Sequence, residues 1–424
     1  MKNYIHNRYF YVFYIFLIFI FSSSTNGHET AGSFSSYRIP GRTIEFPDTK
    51  NHLTIIADLH THSVFSDGHV WPNIRVAEAQ RDGLDAIAIT EHLEYQPHIV
   101  DIPHKDRNTA YKIAKKAAEN SNLIVISGSE ITRENPIGHI NAIFIEDSNK
   151  LFKLDEAKKN EAESLIEQRK DEAAKQDTEM VNHYALAQLW PVANALNEAH
   201  KQGGFIFWNH PMWSAADGIA KLSPQHKEFI KNGTLHGIEV VNENTFSEEA
   251  LAIALEYDLT IIGTSDVHNL IDWDYLPHRG NHRPVTLIFS EKKTQLAIKQ
   301  ALMNGQTAVW YKNLLIGKKQ NIQPLLEAIL TLEEAKYEKN SEILTINISN
   351  NSDAKIQMVN LSDYSFMSNH DVIEVAAHSD INLRVKTTEK KTSISFKFKI
   401  LNALVAPKTY PTIVLQSAIN LQAD

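Results

Sequence analysis

Residues able to bind a metal cluster recur at the ends of apolar runs. Leu53 to Ala57 leads into Asp58-Leu59-His60-Thr61-His62, with Ser66-Asp67-Gly68 close behind. Side chains on an extended segment repeat every two positions, so His60 and His62 point the same way and both imidazoles can reach one cation. A lone His-x-His pair is a weak signal in a chain with 20 His. The format returns, however. Leu84 to Ile89 runs into Thr90-Glu91-His92, Leu123 to Ile126 into Gly128-Ser129-Glu130, Phe205 to Trp208 into Asn209-His210-Pro211, and Leu259 to Ile262 into Ser265-Asp266-Val267-His268. His139 stands just ahead of a further run, Ile140 to Ile145. One His or Glu after a strand is ordinarily a hydrogen-bonded loop residue, but five strands all ending in His, Asp or Glu point to a shared site.

The elements that position these residues follow from the same runs. With Ile238 to Val241 they make seven candidate strands, separated by amphipathic stretches of helical length such as Trp71 to Arg81, Thr109 to Asn120, Ala185 to Gln202 and Ser247 to Tyr257. Strand alternating with helix predicts an α/β fold with a parallel sheet, in which the strand C-termini share one face and sites are built there. Asp155 to Glu179, dense in Lys, Glu, Ala and Gln, reads as a solvated helical insertion near residues 150–180 that carries no chemistry. Val285 to Phe289 and a helical Gln295 to Asn304 follow, bringing the barrel region to 52–320. The composition shifts at about Glu333. Ile343 to Ile348, Lys355 to Val359, Asp371 to Ala376, Ile381 to Val385, Ser393 to Phe398 and Thr412 to Leu415 are short alternating runs, which predict a small all-β, sandwich-like domain over 333–424. That region has only His370 and His378 and no clustered acids, so it is expected to be separate and to carry no catalytic residue.

At the N-terminus, Lys2 and Arg8 precede an uncharged apolar stretch from Tyr9 to Phe21 and a small polar Ser22 to Gly27. The pattern predicts a secretory signal peptide over 1–27, a polar lead-in over 28–51, and an exported, periplasmic or secreted protein with no membrane span once the signal is cleaved. The 424 residues contain no Cys, so neither disulfides nor thiolate ligands are available. Removing the signal takes away Lys2 and Arg8 and no acid, leaving 40 bases against 51 acids, a net of −11. An acidic chain without a basic run is a poor nucleic-acid binder, and a small substrate is expected instead. Nothing in the sequence sets the oligomeric state.

Asp58-x-His60-x-His62 with Ser66-Asp67-Gly68, then Thr90-Glu91-His92, Glu130, Gly138-His139, Asn209-His210-Pro211 and Ser265-Asp266-Val267-His268 resemble, in order, the motifs of the PHP (polymerase and histidinol phosphatase) superfamily. The resemblance covers roughly Thr54 to Phe289, and Glu91 departs from the Asp that many members carry before the His. It implies a distorted seven-stranded β/α barrel with metals at the strand-end face. It also implies three metal groups: His60, His62, Glu130 and Asp266; Glu130, His139 and His210; and Asp67, His92 and His268, with Glu130 bridging the first two.

Six imidazoles and three carboxylates are too many for one ion, since a catalytic site of the zinc type uses about three protein ligands. Two to three divalent ions are therefore expected. A nitrogen-rich set without sulfur suits Zn, Mn or Fe(II). Such ions would hold an anionic ester and acidify a bridging water to hydroxide, which makes phosphoester hydrolysis the expected reaction, with Glu130, Asp266 and His210 nearest the chemistry. Arg133 is the first candidate for a phosphate clamp, ahead of Arg279, His282 and Arg283, because a guanidinium matches phosphate oxygens bidentately. Trp208, Trp213, Trp273 and Tyr275 flank the ligand loops and suggest an aromatic leaving group. Export and the β appendage most resemble the phosphodiesterase branch. A phosphomonoesterase of histidinol-phosphate phosphatase type and a non-catalytic metal-binding relative are the alternatives.

Overall fold

A computed structural model describes residues 43–153, 156–168, 183, 185–213, 215, 217–419 and 421. Residues 1–27, read from the sequence as a signal peptide, and most of the lead-in lie outside the described residues. Among those described, no helix is long and apolar enough to cross a membrane.

All seven expected strands form: β1 (Leu53–Asp58), β2 (Ala86–Ile89), β3 (Ile124–Ile131), β4 (Ile140–Ile143), β5 (Phe205–Trp208), β6 (Gly237–Asn242) and, after the two-residue β7 (Thr245–Phe246), β8 (Thr260–Thr264). Their apolar residues are buried on both faces, as in a sheet covered by helices. The sheet continues through β9 (Val285–Ser290), β10 (Thr307–Tyr311) and β11 (Leu314–Gly317), so the barrel is a curled half-barrel. Its order is β11-β10-β9-β1-β2-β3-β4-β5-β6, with β7 and β8 both paired to β6.

The sheet is not all parallel. β4 runs antiparallel to both β3 and β5, because only the short loop 132–139 joins β3 to β4 and leaves no room for a crossover helix. This reversal brings the N-terminus of β4 to the face where the other strands end, which is why His139 precedes its strand.

Helices α1 (Pro72–Arg81), α2 (Thr109–Ala117), α3 (Glu156–Gln168), α4 (Val192–Lys201), α5 (Pro224–Lys231), α6 (Glu248–Glu256), α7 (Gln295–Met303) and α8 (Lys319–Ile329) complete this part. The predicted insertion is helical as α3, and its remainder falls outside the described residues. Ala185 to Gln202, expected as one helix, breaks before α4 at Pro191, which has no N–H to continue the ladder. Ser247 caps α6 through the Ala250 N–H, and Glu248 and Glu249 complement the dipole in its first turn.

α8 runs directly into β12 (Leu330–Tyr337), so the composition shift at Glu333 lies inside a strand. Then come β13 (Ile343–Asn350), β14 (Ile356–Asn360), β15 (Val372–Val375), β16 (Ser379–Lys386), β17 (Ser393–Ile400), β18 (Ala403–Leu404) and β19 (Thr412–Ala418). They form two antiparallel sheets, β12-β13-β16 and β15-β14-β17-β19, while β18 leaves them to pair in parallel with β11. Inward residues alternate along β13 and β17, burying Leu344, Ile346, Ile348, Phe396 and Phe398. These residues belong to one apolar cluster with Leu287 of β9, Leu315 of β11 and Leu325, Leu326 and Ile329 of α8. The sandwich and the half-barrel therefore share a core.

Phe398→Ala, at a fully buried site, should cost about 3–5 kcal/mol. Denaturant unfolding followed by far-UV CD and by metal release should show one shared transition moved to lower denaturant. Metal release that keeps its wild-type midpoint would show two independent cores.

Candidate metal centre

β1 ends at Asp58, and the extended backbone beyond it delivers His60 and His62, both buried. The chain then folds tightly, with the Ser66 and Gly68 N–H groups donating to the Ser63 carbonyl at 3.0 Å, which aims Asp67 back at the site. Gly68 is required there, since a Cβ would lie 2.8 Å from backbone atoms of His62 and Ser63. β3 overruns the strand expected from its apolar run, so Glu130 sits inside it, bridged to His92 after β2. β5 delivers His210 and β8 delivers Asp266, with φ of 25° and 49°. Such left-handed conformations cost a non-glycine residue about 1–3 kcal/mol and cluster at functional sites.

The nine expected ligands converge. The His60 and His62 Nε2 atoms are 3.0 Å apart. Glu130 Oε2 lies 3.4 Å from the first and 3.2 Å from the second, and Asp266 Oδ1 lies 3.2 and 3.1 Å from them. Asp67 Oδ2 is 3.2 Å from His92 Nε2 and 3.2 Å from His268 Nε2. Glu130 Oε1 is 2.8 Å from His139 Nδ1 and 3.5 Å from His210 Nε2. Three clusters have ion-holding geometry: His60, His62 and Asp266; His62, Asp67, His92 and His268; and His92, Glu130 and His139. They overlap the three groups implied by the family motifs and differ from them in three ways: Glu130 falls in the His92–His139 cluster alone, His210 falls in none, and His62 and His92 each fall in two.

The donor set fits divalent ions. Glu130 Oε2 and Asp266 Oδ1 are buried without a hydrogen-bond donor. His60 Nδ1 is 2.9 Å from Glu239 Oε1, which as the proton acceptor of a neutral ring would leave Nε2 a lone pair aimed at His62 and both carboxylates. A cation satisfies that arrangement of four acceptors.

Several supporting residues were not anticipated. Glu239, inside β6, also accepts from the His210 N–H at 2.8 Å, from Asn242 Nδ2 at 2.9 Å and from Thr264 Oγ1 at 2.7 Å. Asn242 reaches on to Asp266 Oδ2 at 3.1 Å, and Asn209 donates to Glu130 Oε1 at 2.9 Å. The signal for Glu239 was present in the sequence, as a carboxylate inside the apolar run Ile238 to Val241. Glu91 touches no ligand atom directly; it accepts from Ser63 and Ser66 beside His62, each hydroxyl at 2.5 Å.

Arg133 is placed differently from its expected role. Its Nη1 donates to Glu94 and to the Thr132 carbonyl, and its Nη2 donates to the Trp190 carbonyl at 3.1 Å, so the guanidinium is engaged within the protein. Arg283 is likewise buried against Asp82 and Asp58, His282 stacks on Trp310, and Arg279 is exposed. Trp208 and Tyr275 are core residues. Trp213 and Trp273 are exposed, and the Trp213 ring centre lies 5.5 Å from that of His210.

Burial alone would push the three ligand carboxyls up, but the surrounding imidazoles hold Glu130, Asp266 and Asp67 far below the usual carboxylate range. Burial pushes the imidazoles down, yet the carboxylates raise His60, His92 and His210, and Asp266, Glu130 and Asp67 raise His62 to about 10. His139 stays lowered by burial.

The PHP domain family matches residues 58–186, and an Ig-like domain family matches residues 330–416. A crystal structure from Bacteroides vulgatus, a two-domain protein containing a predicted PHP-like metal-dependent phosphoesterase, is 33% identical. It aligns over 90% of this chain and 99% of its own, with a TM-score of 0.75. An amidohydrolase from Chromobacterium violaceum, solved with bound sulfate and no metal, is 19% identical over 50% of this chain and 87% of its own, with a TM-score of 0.34. No curated protein matches. The chain belongs to the PHP superfamily of metal-dependent phosphoesterases, in a two-domain form with an Ig-like C-terminal domain.

Two predictions follow from this geometry. Glu130→Gln should lower metal content more than Asp67→Asn, because the amide offers one good acceptor and no charge where the two carboxylate oxygens face the imidazoles of two of the family's groups, His60 and His62 on one side and His139 and His210 on the other. Elemental analysis should find the first two groups depleted together in Glu130→Gln and only the third in Asp67→Asn. In metal-stripped protein, His62 is raised from its ordinary 6.5 to about 10, so its ion pairs stabilise the fold fully below pH 6.5. That contribution is lost as pH rises through about 10, so the apo unfolding midpoint should fall over this window. Metal loading, which replaces the protons, should flatten the fall.

Proposed function

We propose that this protein is an exported phosphodiesterase that hydrolyses a small organic phosphate ester, using up to three divalent ions of the Zn, Mn or Fe type. The observation that carries this reading is the completeness of the site. All nine motif positions hold competent ligands, and they converge on three carboxylates, whereas a binding-only relative would be expected to lose some of them. Export rests on the N-terminal sequence pattern, which also supports a periplasmic or secreted location.

Ions held in these groups would supply an acidified water as nucleophile and would clamp the attacking and leaving oxygens of an in-line displacement. The protein's own residues set the charge that a substrate meets. Six positive charges would face Glu130, Asp266 and Asp67. Glu239 and Glu91, buried against the ligands or their loop, trim the excess to about +1. With Arg133 and Arg283 engaged elsewhere, a small positive excess suits a monoanionic diester better than a dianionic monoester. Glu239 orients His60 and the His210 backbone together, holding the first and second groups in register. Trp213, half exposed beside His210, can stack on an aromatic leaving group.

The test compares an aryl phosphodiester with the matching monoester, using metal-loaded protein. The diester should be turned over faster, and chelator should abolish activity. Faster monoester turnover would favour a phosphomonoesterase, and no turnover at full metal load would favour a non-catalytic relative. Trp213→Ala should raise KM for the aryl substrate by roughly 2–10-fold, the equivalent of about 0.5–1.5 kcal/mol of ring contact, and leave an alkyl diester unchanged.

A further inference from the structure

The half-barrel has an open seam beside its metal centre. β8 has only β6 as a ladder partner, and on its other side its hydrogen bonds to β9 and β10 run through side-chain hydroxyls alone, Thr286 with the Gly263 N–H and carbonyl at 3.0 and 2.8 Å and Thr307 to the Ile261 carbonyl at 2.7 Å. β1 and β8 are not laddered; Asp58, the last residue of β1, accepts from the Ser265 N–H and hydroxyl at 3.1 and 2.6 Å, and beyond the strand ends a parallel bridge joins Thr61 and Val267. Asp266 N–H donates to the His60 carbonyl at 3.0 Å, His62 N–H to the Val267 carbonyl at 3.2 Å and His69 N–H to the His268 carbonyl at 2.8 Å. Every one of these backbone bonds joins residues at or next to a ligand.

Arg75 of α1, fully buried, spans this seam. Its Nε donates to the His62 carbonyl at 2.8 Å on one side. Its Nη2 and Nη1 donate to the Val267 and Asn269 carbonyls at 3.1 and 2.6 Å on the other. Glu78, one turn along the helix, accepts from Arg75 Nη1 at 2.8 Å and from the Ile271 N–H at 2.8 Å. One ion pair thus grips both ligand loops, through three carbonyls and one N–H. The planar guanidinium fork suits this; a lysine ammonium is a point donor and cannot hold the same three directions.

We propose that the Arg75–Glu78 pair is a positioning device that closes the seam and sets the spacing of the Asp67, His92 and His268 group. The proposal rests on the three-group metal reading above. The first group has its own direct tie across the seam, from Asp266 to His60, and lies deep in the protein. The second draws nothing from the β8 loop. The third brings Asp67 from one loop to His268 of the other, at the partly exposed mouth; beside its one backbone tie, from the His69 N–H to the His268 carbonyl, it is the group whose loops Arg75 grips directly, at the His62 carbonyl and at the Val267 and Asn269 carbonyls that flank His268.

Arg75→Lys and Glu78→Gln test this, with Asp67→Asn as the direct-ligand comparison. Each protein is stripped, titrated with Zn(II) alone and followed by elemental analysis and by the metal-induced shift of the unfolding midpoint. Wild type should bind three ions. Both variants should keep two ions and bind the third at least tenfold more weakly, the same result expected of Asp67→Asn. A merely structural role would lower the midpoint of metal-free protein while leaving three ions at wild-type affinity, and that result would overturn the proposal. Wild type saturating at two ions or fewer would overturn the three-group reading and the proposal with it. Should Arg75→Lys not fold, Glu78→Gln, which keeps its size and an acceptor, decides alone.

Discussion

Glu130 is buried in β3 with nitrogens of five imidazoles, those of His60, His62, His92, His139 and His210, within 3.5 Å of its two oxygens. A carboxylate taken out of water at that depth is costly unless positive charge surrounds it on both sides. Much of the surrounding architecture meets this requirement. β3 runs past its apolar stretch to carry Glu130 into the site, β4 reverses to bring His139 to one oxygen, and β1 extends to bring His60 and His62 to the other. Asn209 donates to the oxygen nearer His139 and orients the carboxylate. Imidazoles alone would have to be protonated to balance it, whereas divalent ions balance it with the rings neutral and supply a reactive centre at the same point.

The open sheet follows from the same demand. A closed barrel with continuous ladders would fix its strand ends by backbone pairing along whole strands, but here β1 and β8 form no ladder with each other, and only their ligand-bearing continuations are joined, by the Thr61–Val267 bridge and the bonds beside it. Backbone strain at His210 and Asp266 fits that geometry, since both residues turn sharply out of their strands to aim side chains inward. Glu239 lies where the restraint is most needed. It holds the His60 ring, the His210 backbone, Asn242 and Thr264 with one carboxylate. The Ig-like sheets contribute through the shared apolar core behind β9 and β11 and place no ligand at the site.

The ligands were legible in the sequence because metal chemistry restricts residue types severely and strand ends are marked by hydrophobic runs. His60, His62, His92, His210 and His268 each follow such a run, and His139 precedes one. What was not legible depends on three-dimensional pairing. The antiparallel course of β4 leaves only a short loop as its trace, easily passed over beside longer connections. Pro191 breaks a segment whose periodicity looked continuous. Glu239 and Arg75 look like an ordinary strand residue and an ordinary helix residue until the carbonyls and rings they serve are seen. Arg133 shows the converse error. Its position after Glu130 suggested a substrate contact, but Glu94, an acid in the loop after His92, takes the guanidinium for the protein's own use.

Charge is graded through the site, and this gives it a direction. Glu239 and Glu91 are buried among ligand-supporting polar groups, while Asp67, His139 and His268 are the ligands with most solvent contact. Ions bound between these layers would have carboxylate charge behind them and mostly neutral imidazole toward the mouth. The field at the opening would be more positive than the total charge of the site suggests, because the compensating acids are on the far side. An acidic protein can therefore present an anion-attracting opening without a basic patch, and the phosphate contact can fall to the metal groups instead of to an arginine. That division frees Arg75, Arg133 and Arg283 to serve as buried cross-links, where a guanidinium's several fixed donors matter more than its charge at the surface.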